Sequence, residues 1–129
     1  MTIIGLGLDA TEVPRISRLM EQYGGRFIER VFTEGEIAYC SRKARAAESY
    51  AARFAAKEAA MKALGTGHAC GVVWRDVEVV RLGGPPLLEL HGAAAERFAR
   101  MGGVSAHLTL THTGDLALAH VILLGGPRP

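Results

Sequence analysis

Apolar residues alternate from Thr2 to Asp9, with Ile4, Leu6 and Leu8 on one face and Ile3, Gly5, Gly7 and Asp9 on the other, which predicts a strand over residues 2–9. Glycine weakens a strand interior and marks a close approach by a ligand or another backbone, so the face carrying Asp9 is expected to lie against something. From Pro14 the period changes. Ile16, Leu19, Met20 and Tyr23 recur at i, i+3, i+4 and i+7, predicting a helix that Gly24-Gly25 ends, with Arg15, Arg18 and Gln22 on its opposite side. After an apolar patch at Phe27, Ile28, Val31 and Phe32, the run Thr33-Glu34-Gly35-Glu36 has the form of a capping box, opening a helix to about Ala46.

The strongest helical segment is Glu48 to Leu64, with alanines at 51, 52, 55, 56, 59, 60 and 63 and Gly65 placed to end it. So much alanine makes a slim rod against which neighbouring backbone or a long ligand can lie. Strands are expected at about 76–82 and 87–91, joined by the turn Gly83-Gly84-Pro85-Pro86, then a short helix from Ala93 to Arg100. Strands at about 104–112 and 116–124, joined by Thr113-Gly114-Asp115, form a terminal hairpin, and Gly125 to Pro129 reads as a frayed tail. The pattern is α+β: an antiparallel sheet with packed helices.

With 129 residues, the chain suits a single domain over 1–129, and 49% hydrophobic with 22% charged residues excludes a disordered or fibrous chain. The longest apolar run, Leu116 to Leu124, is interrupted by His120 and falls short of the ~20 residues of a membrane span. The N-terminus has no basic start to an apolar stretch, so no secretory signal is read and the cytosol is the expected compartment. Cys40 and Cys70 stand 30 positions apart without zinc-site spacing and are expected to be free thiols. A net charge of +2 is too small for duplex nucleic acid, yet all three lysines, Lys43, Lys57 and Lys62, fall in the first half, where an acidic protein or a phosphorylated ligand would be met.

Glu58 and Lys62 are i, i+4 neighbours on the alanine-rich helix, and Arg53 and Lys57 form a second such pair about 140° of arc away. Each pair also reads as ordinary charge on a solvated face. Asp9, disfavoured in a strand, is either a functional carboxylate or a cap for the Pro14 helix. A hard cation bound to phosphate takes one or two protein carboxylates, which Asp9 and Glu58 supply if strand and helix meet, with Lys57 and Lys62 as flanking point charges. His112 ends an alternating strand and reads equally as a histidine at a sheet rim. Gly65-Thr66-Gly67 is either a phosphate cradle or a plain helix stop, since it lacks a phosphate-loop signature.

Taken together, these segments resemble the holo-acyl-carrier-protein synthases, the small phosphopantetheinyl transferases. The likeness rests on Gly5-Leu6-Gly7-Leu8-Asp9, on the run from Arg53 through Glu58 and Lys62 to Gly67, on Val73-Trp74-Arg75-Asp76-Val77-Glu78-Val79, and on Leu108-Thr109-Leu110-Thr111-His112-Thr113. The resemblance implies a phosphopantetheinyl transferase fold, homotrimeric with a site at each subunit interface, moving the phosphopantetheine arm of coenzyme A to a serine of apo acyl carrier protein. It implies Mg²⁺ on Asp9 and Glu58, Lys62 on the coenzyme pyrophosphate, and Arg53, Lys57, Gly65, Thr66 and His112 near the coenzyme. Arg15 and Arg18 would face the acidic helix of the carrier, from fatty-acid or polyketide synthesis. Two positions depart from the family pattern: Pro85 stands where lysine is common, and Thr111 stands where serine is common. The competing readings are a non-catalytic coenzyme- or nucleotide-binding module and a structural protein assembling through its sheet.

Overall fold

The structure, a computed structural model, describes residues 1–126. Its elements are strand β1 (Thr2–Glu12), helices α1 (Val13–Tyr23), α2 (Gly25–Val31), α3 (Glu34–Cys40) and α4 (Ala46–Leu64), strands β2 (Val77–Val80) and β3 (Leu87–Leu90), helix α5 (Gly92–Arg100), and strands β4 (Gly103–Thr113) and β5 (Leu116–Gly125). A single 3-10 turn, Trp74–Asp76, leads into β2. The strands form two antiparallel sheets: a three-stranded one in the order β1-β5-β4 and a two-stranded ribbon of β2 and β3. The expected α+β class is what is observed, divided between these two sheets. Among the described residues no helix is long and apolar enough to cross a membrane.

Helix α4 is the centre of the molecule. One core lies between it and the inner faces of β4, β5 and the ribbon, and a second lies between it and α1–α3. Alanine makes this possible, because Ala51, Ala52, Ala55, Ala56, Ala59, Ala60 and Ala63 are all buried and let both layers close on the same rod. The closest approach is to β1. A Cβ on Gly5 would stand 2.2 Å from the Ala63 carbonyl oxygen, and one on Gly7 only 1.7 Å from that of Ala59. The glycine-lined face of the strand is therefore seated on helix backbone. A bulge at Ile4 re-aims the strand, so Ile4 turns to the core while Leu6 and Leu8 face outward, 57% and 61% exposed. The three residues expected on one face are thus divided.

Element ends differ from the sequence expectations for local reasons. The capping box at Thr33 and Glu36 forms, but its helix ends at Cys40 rather than near Ala46. The apolar patch from Phe27 is itself helical, separated from α1 only by Gly24 at φ +54°. Asp9 does not cap α1: the strand continues to Glu12, which precedes the helix without a side-chain cap, and the Val13 amide donates to Asp115 O at 2.8 Å. Gly125 and Gly126 are not frayed, since Gly125 pairs with both Thr2 and Gly103 and the Gly126 amide donates to Gly102 O at 3.1 Å; the rest of the expected tail, residues 127–129, lies outside the described residues.

Candidate functional site

Two residues beyond Gly7 on the helix-facing side of β1 comes Asp9, and it meets the open flank of α4. Lys62 donates from Nζ to Asp9 Oδ1 at 2.9 Å and to Leu8 O at 3.0 Å, and Thr11 donates from Oγ1 to Asp9 Oδ2 at 3.3 Å. Glu58 lies one turn before Lys62. Its side chain is 30% exposed and its carboxylate accepts no hydrogen bond among the described residues; the nearest basic side chain is His68, with Nε2 3.9 Å from Oε1. Strand and helix thus join Asp9 to Lys62, with Glu58 one turn away on the same flank of α4. These are hard oxygen donors beside a mobile ammonium, the donor set that suits a cation held against phosphate.

Arg53 and Lys57 do not lie on a solvated face. Lys57 is fully buried: its Nζ is 2.7 Å from Glu36 Oε1, donates to Trp74 O at 3.2 Å, and makes a closer hydrogen bond to Val77 O. Burial pulls its pKa below the ordinary lysine value, while the Glu36 carboxylate opposes that shift. Glu36 also accepts from the amides of Thr33 and Val79, each at 2.9 Å. The ammonium expected near a coenzyme instead ties α4 to α3 and β2. Arg53, 3% exposed, lies over the Tyr39 ring at 4.2 Å and borders a cavity of about 220 Å³ shared with Arg42 and Arg81. Its Nε is buried without a partner among the described residues.

Gly65 ends α4 in the left-handed conformation, φ +72°, and the Thr66 and Gly67 amides both donate to Met61 O, at 3.2 and 3.3 Å. Thr66 is buried and donates its hydroxyl to Gly67 O, so here the glycine loop serves as a helix stop. His112 is at the other end of α4, where Nε2 donates to Glu48 O at 3.4 Å. Ten residues separate Glu48 from Glu58, about 15 Å of helix, and within one chain His112 is not brought to the carboxylates. Arg15 and Arg18 are exposed on α1. Arg15 borders a groove of about 420 Å³ with Arg26, Arg30, Phe27 and Trp74, its guanidinium 5.6 Å from the Phe54 ring centroid; Arg18 lies outside that groove.

Sequence reasoning missed two side chains. Glu36 is visible as half of a capping box, but nothing local shows that its carboxylate reaches Lys57. His68, in the loop after α4, belongs to no pattern; its ring lies against Trp74 at 4.3 Å, and Trp74 in turn stacks on Phe54 at 4.8 Å. A separate carboxylate-histidine group, Glu78, Glu89 and His91, has its ligand atoms within 4.8 Å of one another on the ribbon. Glu78 is already engaged, by Thr33 Oγ1 at 2.6 Å and His91 Nε2 at 2.9 Å; burial favours its neutral form, but these two contacts outweigh it and hold its pKa below the usual carboxylate range.

The family model for the 4'-phosphopantetheinyl transferase superfamily matches residues 5–120. The holo-[acyl-carrier-protein] synthase of Solibacter usitatus is 55% identical over 122 residues, covering 94% of this chain and 98% of that one. Its counterpart in Koribacter versatilis is 52% identical over the same length, with the same coverage. Among solved structures, the Neisseria meningitidis holo-[acyl-carrier-protein] synthase superposes with a TM-score of 0.87 at 30% identity over 95% of this chain and 99% of its own. The Helicobacter pylori enzyme, solved in complex with coenzyme A, gives 0.81 at 27% identity, covering 92% of this chain and 99% of its own.

Proposed function

The chain belongs to the 4'-phosphopantetheinyl transferase superfamily and is an enzyme of its holo-acyl-carrier-protein synthase family, and from that premise we propose that it moves the phosphopantetheine arm of coenzyme A to a serine of apo acyl carrier protein, with Mg²⁺, releasing adenosine 3',5'-bisphosphate. The observation that carries this reading is the Asp9–Lys62 contact where β1 crosses α4, with Glu58 one turn before Lys62 on the same flank of the helix. Asp9 and Glu58 would hold the metal, which when bound supplies charge neutralisation and orientation of the pyrophosphate. The serine oxygen bonds to the β-phosphorus as the bond from that phosphorus to the bridging oxygen breaks, and the bisphosphate leaves with that oxygen. Glu58 accepts the serine proton, and Lys62 leaves Asp9 to stabilise charge on the departing phosphate. Arg53, beside Arg42 and Arg81, meets a coenzyme phosphate at the cavity it borders. Arg81 donates to Gly84 O at 3.1 Å and so brings a cation to the turn where Pro85 replaces the family lysine.

A homotrimer with shared sites fits two observations. Leu6 and Leu8 leave an apolar outer face on the main sheet, which three copies would cover. His112, which lies against Glu48 at the far end of α4 from Glu58, is then available to a neighbour's coenzyme. Arg15 and Arg18 face the acidic helix of the carrier, with Arg26 and Arg30 beside Arg15 at the groove. The free thiols Cys40 and Cys70 accord with a cytosolic setting.

Mass spectrometry of apo carrier protein incubated with the chain, coenzyme A and Mg²⁺ tests the reaction: the carrier gains the arm, and a carrier of unchanged mass refutes the reading. Asp9→Asn and Glu58→Gln then separate the roles. Both should bind metal more weakly, Asp9→Asn recovering part of its turnover as Mg²⁺ is raised and Glu58→Gln recovering far less, because added metal does not replace a base. Equal recovery would remove the base role from Glu58.

A further inference from the structure

Resting on the reading of Glu58 as metal-holding carboxylate and proton acceptor, we propose that His68 is a positioning residue for Glu58. The imidazole donates from Nε2 to Glu58 Oε1 and leaves the other carboxylate oxygen for the metal. The present separation of 3.9 Å is longer than a hydrogen bond, and it joins two part-exposed side chains, 49% and 30% exposed, so a modest rotation of the Glu58 side chain closes it.

What distinguishes this contact from a chance surface approach is how the histidine is held. Its ring lies on Trp74, centroids 4.3 Å apart, and Trp74 is pinned on two sides: its indole stacks on Phe54 and its carbonyl accepts from the buried Lys57 ammonium. The loop itself is bound at its root by the Thr66 and Gly67 amides on Met61 O, and further on by Ala69 N to Thr66 O at 2.9 Å and Val72 N to Ala69 O at 3.2 Å. Glu58 lacks any other donor among the described residues, whereas Asp9 has Lys62 and Thr11. A carboxylate that must present one oxygen in a fixed direction gains from a donor on the other, and outer partners of this kind commonly set metal affinity.

Two substitutions separate positioning from mere aromatic packing. His68→Phe keeps the tilted ring contact with Trp74 and removes the donor; His68→Gln loses the ring and keeps an N–H at similar reach. Metal binding is read directly on the full chain with coenzyme A by electron paramagnetic resonance, using Mn²⁺ as the probe. For His68→Phe the affinity is expected to fall about tenfold, with kcat down and KM for coenzyme A unchanged, while His68→Gln stays within about threefold of wild type. A Phe variant that binds Mn²⁺ like wild type, or a Gln variant as impaired as Phe, overturns the proposal. Glu58→Gln serves as the control for the underlying reading: if it too binds Mn²⁺ normally, the metal role of Glu58 has failed rather than the role of His68.

Discussion

Lys57 and Glu58 are consecutive residues on α4, about 100° apart around the helix, and they meet opposite surroundings. The lysine is enclosed by Glu36 and two backbone carbonyls, while the glutamate faces outward with His68 as its nearest basic neighbour. One side of the rod spends its charge on architecture, and the other keeps it available for a ligand. The difference teaches that residue type on this helix says little about role until the element opposite is known. Lys57 and Lys62 have the same chemistry and the same alanine-rich neighbours, and only one of them has an exposed side chain.

The sharpest way to break this comparison is to remove the two ammonium groups in turn. Lys57→Met strands the Glu36 carboxylate in the interior and should cost about 3–5 kcal/mol in urea unfolding, part of which returns when Glu36→Gln removes the orphaned charge. Lys62→Met should change stability by less than about 1 kcal/mol, because its pair with Asp9 is half exposed, yet it should slow transfer by about 100-fold. Equal loss of stability in the two variants would erase the distinction between the faces. A smaller effect probes the sheet side of the same helix. Gly7→Ala drives a methyl into the Ala59 carbonyl, which as backbone has no rotamer to yield, and should cost about 3 kcal/mol by thermal melting.

The two cysteines offer the mildest contrast. Cys70 is exposed in the loop near His68 and should react with a thiol reagent in the folded protein, while Cys40, buried at the end of α3, should react only on unfolding. Burial pushes the Cys40 thiol from 9.0 to about 11, so the unfolded chain loses this proton first. The stability tied to the protonated thiol is therefore whole below pH 9 and declines as pH rises towards about 11. Lys57, with its pKa lowered, works in the other direction, so the contribution is read as the difference between wild type and Cys40→Ala across that range. Identical alkaline profiles would show that Cys40 does not titrate differently in the two states.

Much of this was legible where the signal is local. The glycines of β1 announced a close approach, and the alanine spacing announced a slim rod; the backbone that approaches is α4 itself, which no single segment reveals. Gly65 ended its helix as expected, whereas the start at Ala46 was missed because Arg45 offers no capping side chain. The capping box at Thr33 was readable across four residues, but the reach of Glu36 to Val79 spans 43 positions and is a product of folding alone. For the same reason the spacing of Arg53 and Lys57 also fits a solvated pair, and it takes the fold to turn both inward. At the site, the sequence pairs Asp9 with Glu58 and sets Lys62 beside them; the contact the fold makes is between Asp9 and Lys62, and His68, which carries no motif, emerges only because Trp74 gives it a place to rest.

The seat of Gly5 on Ala63 and Gly7 on Ala59 also fixes what lengths the chain may vary. Two strand residues advance about 6.7 Å and four helical residues about 6.0 Å, so the two elements count in step along their crossing. Deleting one residue between Gly7 and Asp9 would send the carboxylate to the outer face, and inserting one would carry it out of reach of Lys62. Insertions in homologous chains should therefore gather at the Gly83–Pro86 turn and between Ser41 and Arg45, where no neighbouring backbone keeps count, and be missing from the first twelve residues and from α4.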